Sequence, residues 1–396
     1  MRINKLNNFN NIFPLLIIFS VTGSATYLGI QQLQFFRLVL IISSLYIIFQ
    51  VVKNNTKINN VLFLYISWLF LYYFLSLVSS LVNYMSLSKY ETDINSFINF
   101  TIILLFNINL IYFLNKNHEK FIQILYKTVV FLFLLMLIIS LYEIIWQAHL
   151  SPSKAYFQSL FTSLHYQPAT FFSNPNDFMA VLTLMIVFIV GYNINRNNMN
   201  YILLYSFILF GLILSFITGS RIATLSILSI LAILLFNTKI ISWKFAVLSL
   251  FFLIIALYNI NTNIQIIDTI SSFSLGGNST EVRKELYKSA IFLIEEKYFF
   301  GVGINNSSIY YDLLNNSNLS GAINPHNYLL EILINSGALV MLSYLLLNTI
   351  FIILFIKIKM YYLVYMLFIY QIILISSSSS IFLWFHYIYY LSIIAL

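Results

Sequence analysis

About a dozen apolar runs, each near the length that crosses one bilayer, follow one another through this chain of 396 residues. No other feature constrains the fold as strongly. A run of roughly 20 apolar residues has few places to go except a hydrocarbon core, where only helices and closed barrels satisfy the backbone. The runs fall at 12–30, 35–52, 61–82, 97–114, 122–147, 177–192, 200–217, 222–236, 245–260, 329–356, 360–376 and 381–396. They predict an all-α, polytopic integral membrane protein with about 12 transmembrane helices. One large extracytoplasmic loop containing short helices is expected between the ninth and tenth. The organisation is then nine helices in 1–260, the loop in 261–328 and helices ten to twelve in 329–396, all one membrane domain. Composition agrees, with 60% apolar and 8% charged residues, where a soluble domain carries roughly 25% charge. That excludes a cytosolic globular protein, a disordered chain and a nucleic-acid-binding domain, despite a net charge of +8. The chain has no cysteine, so it has neither a disulfide framework nor a thiolate nucleophile.

The first run follows Arg2 and Lys5 and resembles a signal peptide, but it is long and lacks a clean small-residue cleavage site, so it reads as an uncleaved span. A cytoplasmic N-terminus gathers Lys53, Lys57, Lys116, Lys120, Arg196, Lys239, Lys244, Lys357 and Lys359 into short cytoplasmic loops. The other short loops hold only Arg37, Lys89, Lys154 and Arg221, so the positive-inside rule selects this orientation. Acidic residues show the reverse. Apart from Glu119, all fall on the outer side or at outer helix ends. Charge collected at one interface suits an enzyme acting on a lipid headgroup better than an ion-coupled pump, which holds charge near the midplane. The expected location is the bacterial cytoplasmic (inner) membrane, with the active site extracytoplasmic.

Three polar strings interrupt the apolar pattern. Phe172-Ser173-Asn174-Pro175-Asn176-Asp177 opens the sixth run; read alone, it is first a turn and helix cap. Thr218-Gly219-Ser220-Arg221 is a short outer turn whose guanidinium could grip a phosphate or simply anchor at the interface. Phe300-Gly301-Val302-Gly303 leads to Asn324-Pro325-His326-Asn327-Tyr328 at the mouth of the tenth run. A histidine there is placed to accept a proton, although a lone histidine is more often structural. Between the last two strings, 278–297 predicts a helix, with Asn278 and Glu281 as a capping box and Val282, Leu286, Ala290 and Leu293 as an apolar stripe. His118, His149, His165 and His386 share no ligand spacing with His326, so no metal site is expected. No phosphate-binding loop or nucleophile elbow occurs.

Together, and in this order, these strings resemble the O-antigen ligase and Wzy-type polymerase family of bacterial membrane proteins. The resemblance runs over about 170–345 and rests on Asn174-Pro175-Asn176 and Ser220-Arg221. It continues through Arg283 within Glu281-Val282-Arg283-Lys284-Glu285, Gly301-Val302-Gly303, and Pro325-His326-Asn327 before Leu329-Leu330-Glu331 and Gly337. It implies glycan transfer from an undecaprenyl-diphosphate-linked donor, without metal, nucleotide or other cofactor. Arg221 and Arg283 would hold the diphosphate and His326 would assist the attacking hydroxyl, making these three catalytic. Lys284, Arg37 and Glu331 are further substrate-binding expectations. The expected enzyme is an inverting, metal-independent glycosyltransferase, a polymerase for capsule, exopolysaccharide or O-antigen that adds the chain to another lipid-linked repeat unit. A ligase delivering the glycan to a terminal acceptor such as lipid A core is the first alternative. A lipid-linked oligosaccharide flippase is the second. Expected partners are the undecaprenyl-diphosphate-linked oligosaccharide, membrane lipid, and an accompanying flippase and chain-length regulator, but no nucleic acid.

Overall fold

The computed structural model describes residues 12–22, 27–28, 30–54, 59–86, 94–146, 148, 167–172, 174–196, 200–237, 278–303, 310, 327–374, 387, 389–390 and 393. Among these the chain is helical apart from one short antiparallel pair, β1 (Tyr27–Leu28) and β2 (Ile30–Gln34). The helices before the predicted loop are α1 (Ile12–Thr22), α2 (Phe35–Asn54), α3 (Asn60–Ser86), α4 (Ile94–Lys116), α5 (His118–Trp146), α6 (Pro175–Arg196), α7 (Tyr201–Ile217) and α8 (Arg221–Asn237). After them come α9 (Asn278–Glu296), α10 (Tyr328–Ser336), α11 (Ala338–Lys357) and α12 (Tyr361–Leu374).

Among the described residues, four helices are long and apolar enough to cross a membrane by length and composition: α3 (over Asn60–Asn83), α5, α6 and α11. The chain is an α-helical, multi-pass membrane protein. Two runs differ from expectation. The first, read through residue 30, is helix over Ile12–Thr22 and belongs to the strand pair from Tyr27; strand pairing at Tyr27–Gln34 is incompatible with one continuous helix through residue 30. The tenth is two helices, α10 and α11, parted at Gly337 with φ 89. The run at 245–260 lies outside the described residues, as does most of 381–396.

Helix α6 is buried along nearly its whole length and packs against α5, α7, α8 and α12. This central position explains an apolar pattern with no polar face, since a helix enclosed on all sides needs none. Beside it, α3 and α11 meet through aromatic rings, with Trp68 5.2 Å from Tyr344. Two tyrosine hydroxyls near this contact are satisfied internally: Gln371 of α12 bonds to Tyr344 and Asn348, and Tyr390 donates to Asn348 at 3.2 Å. Inside a membrane protein each such group needs a partner, because lipid supplies none.

Candidate functional site

The entrance to α6 is built as a cap. Asn174 Oδ1 accepts from the Asn176 amide at 2.8 Å, and its carbonyl accepts from the amides of Asp177 and Phe178. Pro175 takes the first helical position, where its missing N–H costs nothing. Asp177 follows in the first turn and is buried at 5% exposure. Glu143, near the end of α5, is fully buried and accepts the backbone N–H groups of Ala169 and Thr170, both at 2.9 Å on Oε2. These two charge-assisted bonds fix the segment before α6 where it passes the end of α5.

The turn carrying Arg221 closes α7 with a Schellman motif. Thr218 is the C-cap, Gly219 adopts φ 66, and the Gly219 and Ser220 amides reach back to the carbonyls of Phe216 and Ser215 at 3.1 and 3.0 Å. Only a residue free to adopt positive φ fits the second position without strain. Thr224 then bonds to the Ser215 hydroxyl and the Ser220 carbonyl, locking α8 to α7. Arg221 is thereby the first residue of α8 and is half-buried. Gln167 Nε2 lies 3.8 Å from the Cβ position of Gly219. Segment 167–172 therefore joins three places: the Glu143 end of α5, the mouth of α6 and the Arg221 turn. A guanidinium beside the free amides of a helix N-terminus is suited to hold an anionic oxygen.

A second junction holds the interrupted helix pair. The amides of Val302 and Gly303 donate to the carbonyls of Ile334 and Asn335 at 2.6 and 2.9 Å, and the Ala338 amide donates to the Phe299 carbonyl at 2.8 Å. Segment 299–303 so satisfies backbone groups exposed by the break between α10 and α11. The approach is close enough to require glycine on both sides. A methyl group added at Gly301 would lie 2.7 Å from the Gly337 nitrogen, and one at Gly337 would lie 2.6 Å from the Phe299 oxygen. From α3, Asn83 donates to the Gly301 carbonyl at 2.8 Å, Ser79 to the Asn335 carbonyl at 3.3 Å, and Ser76 bonds to Ser336. Gly301-Val302-Gly303 is thus a clamp on the broken helix. Helix α9 packs on α10 through Leu286, Ala290, Leu293 and Ile294, with Val302 and Ile334 in the same cluster.

The expected site residues are placed as follows. Arg283 and Lys284 fall in the second turn of α9, and their side chains lie outside the described residues. His326 also lies outside them, but its neighbour Asn327 caps α10, accepting from the amides of Leu329 and Leu330 at 3.1 and 3.3 Å. Glu331 is in the first turn of α10 and buried. Arg37 is half-buried in the first turn of α2. Sequence reasoning missed the roles of Glu143 and of Ser76, Ser79 and Asn83. A signal for the latter exists: polar residues at 76, 79, 80 and 83 recur at helical spacing inside an apolar run, and all four are buried.

Residues 204–345 match a family model described as O-antigen ligase. The chain is also 28% identical over 335 residues to the teichuronic acid biosynthesis protein TuaE of Bacillus subtilis (strain 168), covering 81% of this chain and 67% of that protein. Both comparisons support the O-antigen ligase and polymerase family, the resemblance that the motifs carry. The matched segment begins inside α7 and ends inside α11, so it contains Arg221, Arg283, Lys284, His326 and Glu331 but not Arg37.

Proposed function

We propose that this chain, a multi-pass membrane protein whose residues 204–345 carry the O-antigen ligase domain, is a polysaccharide polymerase. It transfers a glycan from undecaprenyl diphosphate onto another lipid-linked repeat unit at the outer face of the cytoplasmic membrane. The observation that carries this reading is the Arg221 turn: an arginine at the first position of α8, inside the matched segment, in a turn that approaches the 167–172 segment leading toward α6. In the same proposal, about twelve spans, a cytoplasmic N-terminus and an extracytoplasmic loop over 261–328 bring Arg283 and His326 to that face.

The chemistry follows from an already activated donor. The acceptor hydroxyl attacks the anomeric carbon as the bond from that carbon to the diphosphate oxygen breaks, and the attacking oxygen loses its proton to His326. Attack from the face opposite the leaving group inverts the anomeric centre. Arg221 and Arg283 stabilise the negative charge on the departing polyprenyl diphosphate, where preorganised donors act most strongly. Lys284, beside Arg283 in sequence, adds charge for the same group, and Arg37 is a further contact. Glu331, buried in the first turn of α10, is a further substrate-binding residue in this proposal. No metal or nucleotide takes part, and the accompanying flippase and chain-length regulator supply donor and set product length.

A ligase reading is kept because the matching family model is described as O-antigen ligase. The relative is named for teichuronic acid biosynthesis, which fits either reading. Purified protein in lipid, given a polyprenyl-diphosphate-linked repeat unit with chelator and no nucleotide, distinguishes them. A ladder of lengthening products is the expected result. Product that forms only when a separate terminal acceptor is added would make the protein a ligase. Silence in both arms, with donor shown competent, would contradict glycan transfer.

A further inference from the structure

The junction of α4 and α5 encloses a cavity of about 230 Å³. It lies at the end of α5 opposite Glu143. At 1.5 Å per residue, the 23 positions from Lys120 to Glu143 span roughly 35 Å, about one bilayer core. Its floor is aromatic: the Phe13 ring is 4.6 Å from Phe121 and 5.3 Å from Phe113, and all three are buried. Its rim is cationic, formed by the exposed side chains of Lys116, the last residue of α4, and Lys120, in the first turn of α5. The polar groups between them are already engaged. Asn117 Oδ1 accepts the Lys120 amide at 3.1 Å as the cap of α5, and the Glu119 carboxylate is paired with Arg196 of α6. Glu119 therefore does not neutralise the two lysines. The Lys116 ammonium lies 5.7 Å from the centre of the Tyr112 ring on its own helix and the Lys120 side chain is exposed, so two cations at the rim of an apolar pocket complement a phosphodiester whose glycerol and first methylenes continue into the bilayer.

We propose that this pocket binds the headgroup of an anionic glycerophospholipid from the adjacent leaflet. Basic pockets between helices at that level hold such headgroups in membrane proteins generally. A zwitterionic lipid fits less well, because its own amine would face the lysines. The inference is independent of the glycan-transfer reading.

The test uses the full chain in detergent, delipidated and then titrated with phosphatidylglycerol or phosphatidylethanolamine, with bound lipid counted by native mass spectrometry. Wild type is expected to retain phosphatidylglycerol preferentially. The pair Lys116→Gln and Lys120→Gln should lower that retention about twenty-fivefold, the product of roughly fivefold per lysine near an anionic headgroup. Ile124→Trp, which fills the cavity and keeps both charges, should show a comparable loss. The pair Lys357→Gln and Lys359→Gln, at the end of α11, should leave retention unchanged. An unfolding midpoint measured without lipid confirms that each variant is folded. Undiminished retention in the Lys116 and Lys120 pair, full retention in Ile124→Trp, or an equal loss in the Lys357 and Lys359 pair would overturn the proposal. So would competition by inorganic phosphate at the same concentration as the lipid.

Discussion

At Gly301 a side chain would meet backbone atoms at 2.7 to 2.9 Å, whereas at Gly219 the nearest atom is 3.8 Å away, although both residues have positive φ. The two positions therefore separate steric cost from conformational cost. Gly301→Ala should destabilise the protein by about 3 kcal/mol or more, since overpacking and strain combine. Gly219→Ala should cost only about 1 to 2 kcal/mol, the price of the backbone angle alone. Unfolding midpoints in one detergent would rank them, and equal shifts would contradict the clamp. Glu143 offers a second contrast. Glu143→Ala leaves the Ala169 and Thr170 amides without their acceptor and should cost about 2 to 4 kcal/mol, while Glu143→Gln retains an acceptor oxygen and should cost less. Protease cleavage within 160–172 should quicken in the alanine variant first. Neither role was legible from sequence. A carboxylate near a helix end looks the same whether it faces a substrate or ties down a loop, and a Gly-x-Gly pair does not reveal its partner, Gly337, more than thirty residues away.

Helix limits were the most legible level. The expected 278–297 became Asn278–Glu296, and the run at 61–82 became Asn60–Ser86. Hydropathy failed where helicity stopped without a change in polarity: Gly337 divides a run apolar on both sides, and backbone conformation leaves no mark on an apolar average. Caps yield two predictions at this scale. Lys359 adopts φ 60 in a Schellman turn, with the Lys359 and Met360 amides bonded to the carbonyls of Ile356 and Phe355. Lys359→Gly should raise stability by up to about 1 kcal/mol, because glycine relieves the left-handed angle. Asn327→Ala removes the acceptor for two amides of α10 and should cost about 0.5 to 2 kcal/mol. Because Asn327 directly follows His326, transfer activity should fall by more than the stability loss explains, as read by comparing specific activity at a temperature where both proteins are folded.

At the scale of the molecule, the pieces of the candidate site are far apart in sequence but bounded by few elements. Arg221 belongs to the unit of α6, α7 and α8, and Arg283 belongs to α9, which packs on α10, the helix that follows His326 in sequence. The family resemblance was legible because its motifs recur in order on one hydropathy frame, each short and weak alone. The bracing around them was not, since it consists of side chains on α3 and α5 bonded to backbone far along the chain. The central claim is that two arginines and one histidine, from three separate elements, act on one lipid diphosphate. The measurement that tests it most directly is product length from purified protein in lipid with the polyprenyl-diphosphate-linked repeat unit, comparing wild type with Arg221→Ala, Arg283→Ala and His326→Ala, each confirmed as folded. Wild type should give a ladder, and each variant should lose at least about a hundredfold in rate, the lower range for general-base assistance and for a donor to developing charge. A full ladder from any of the three variants would contradict that claim.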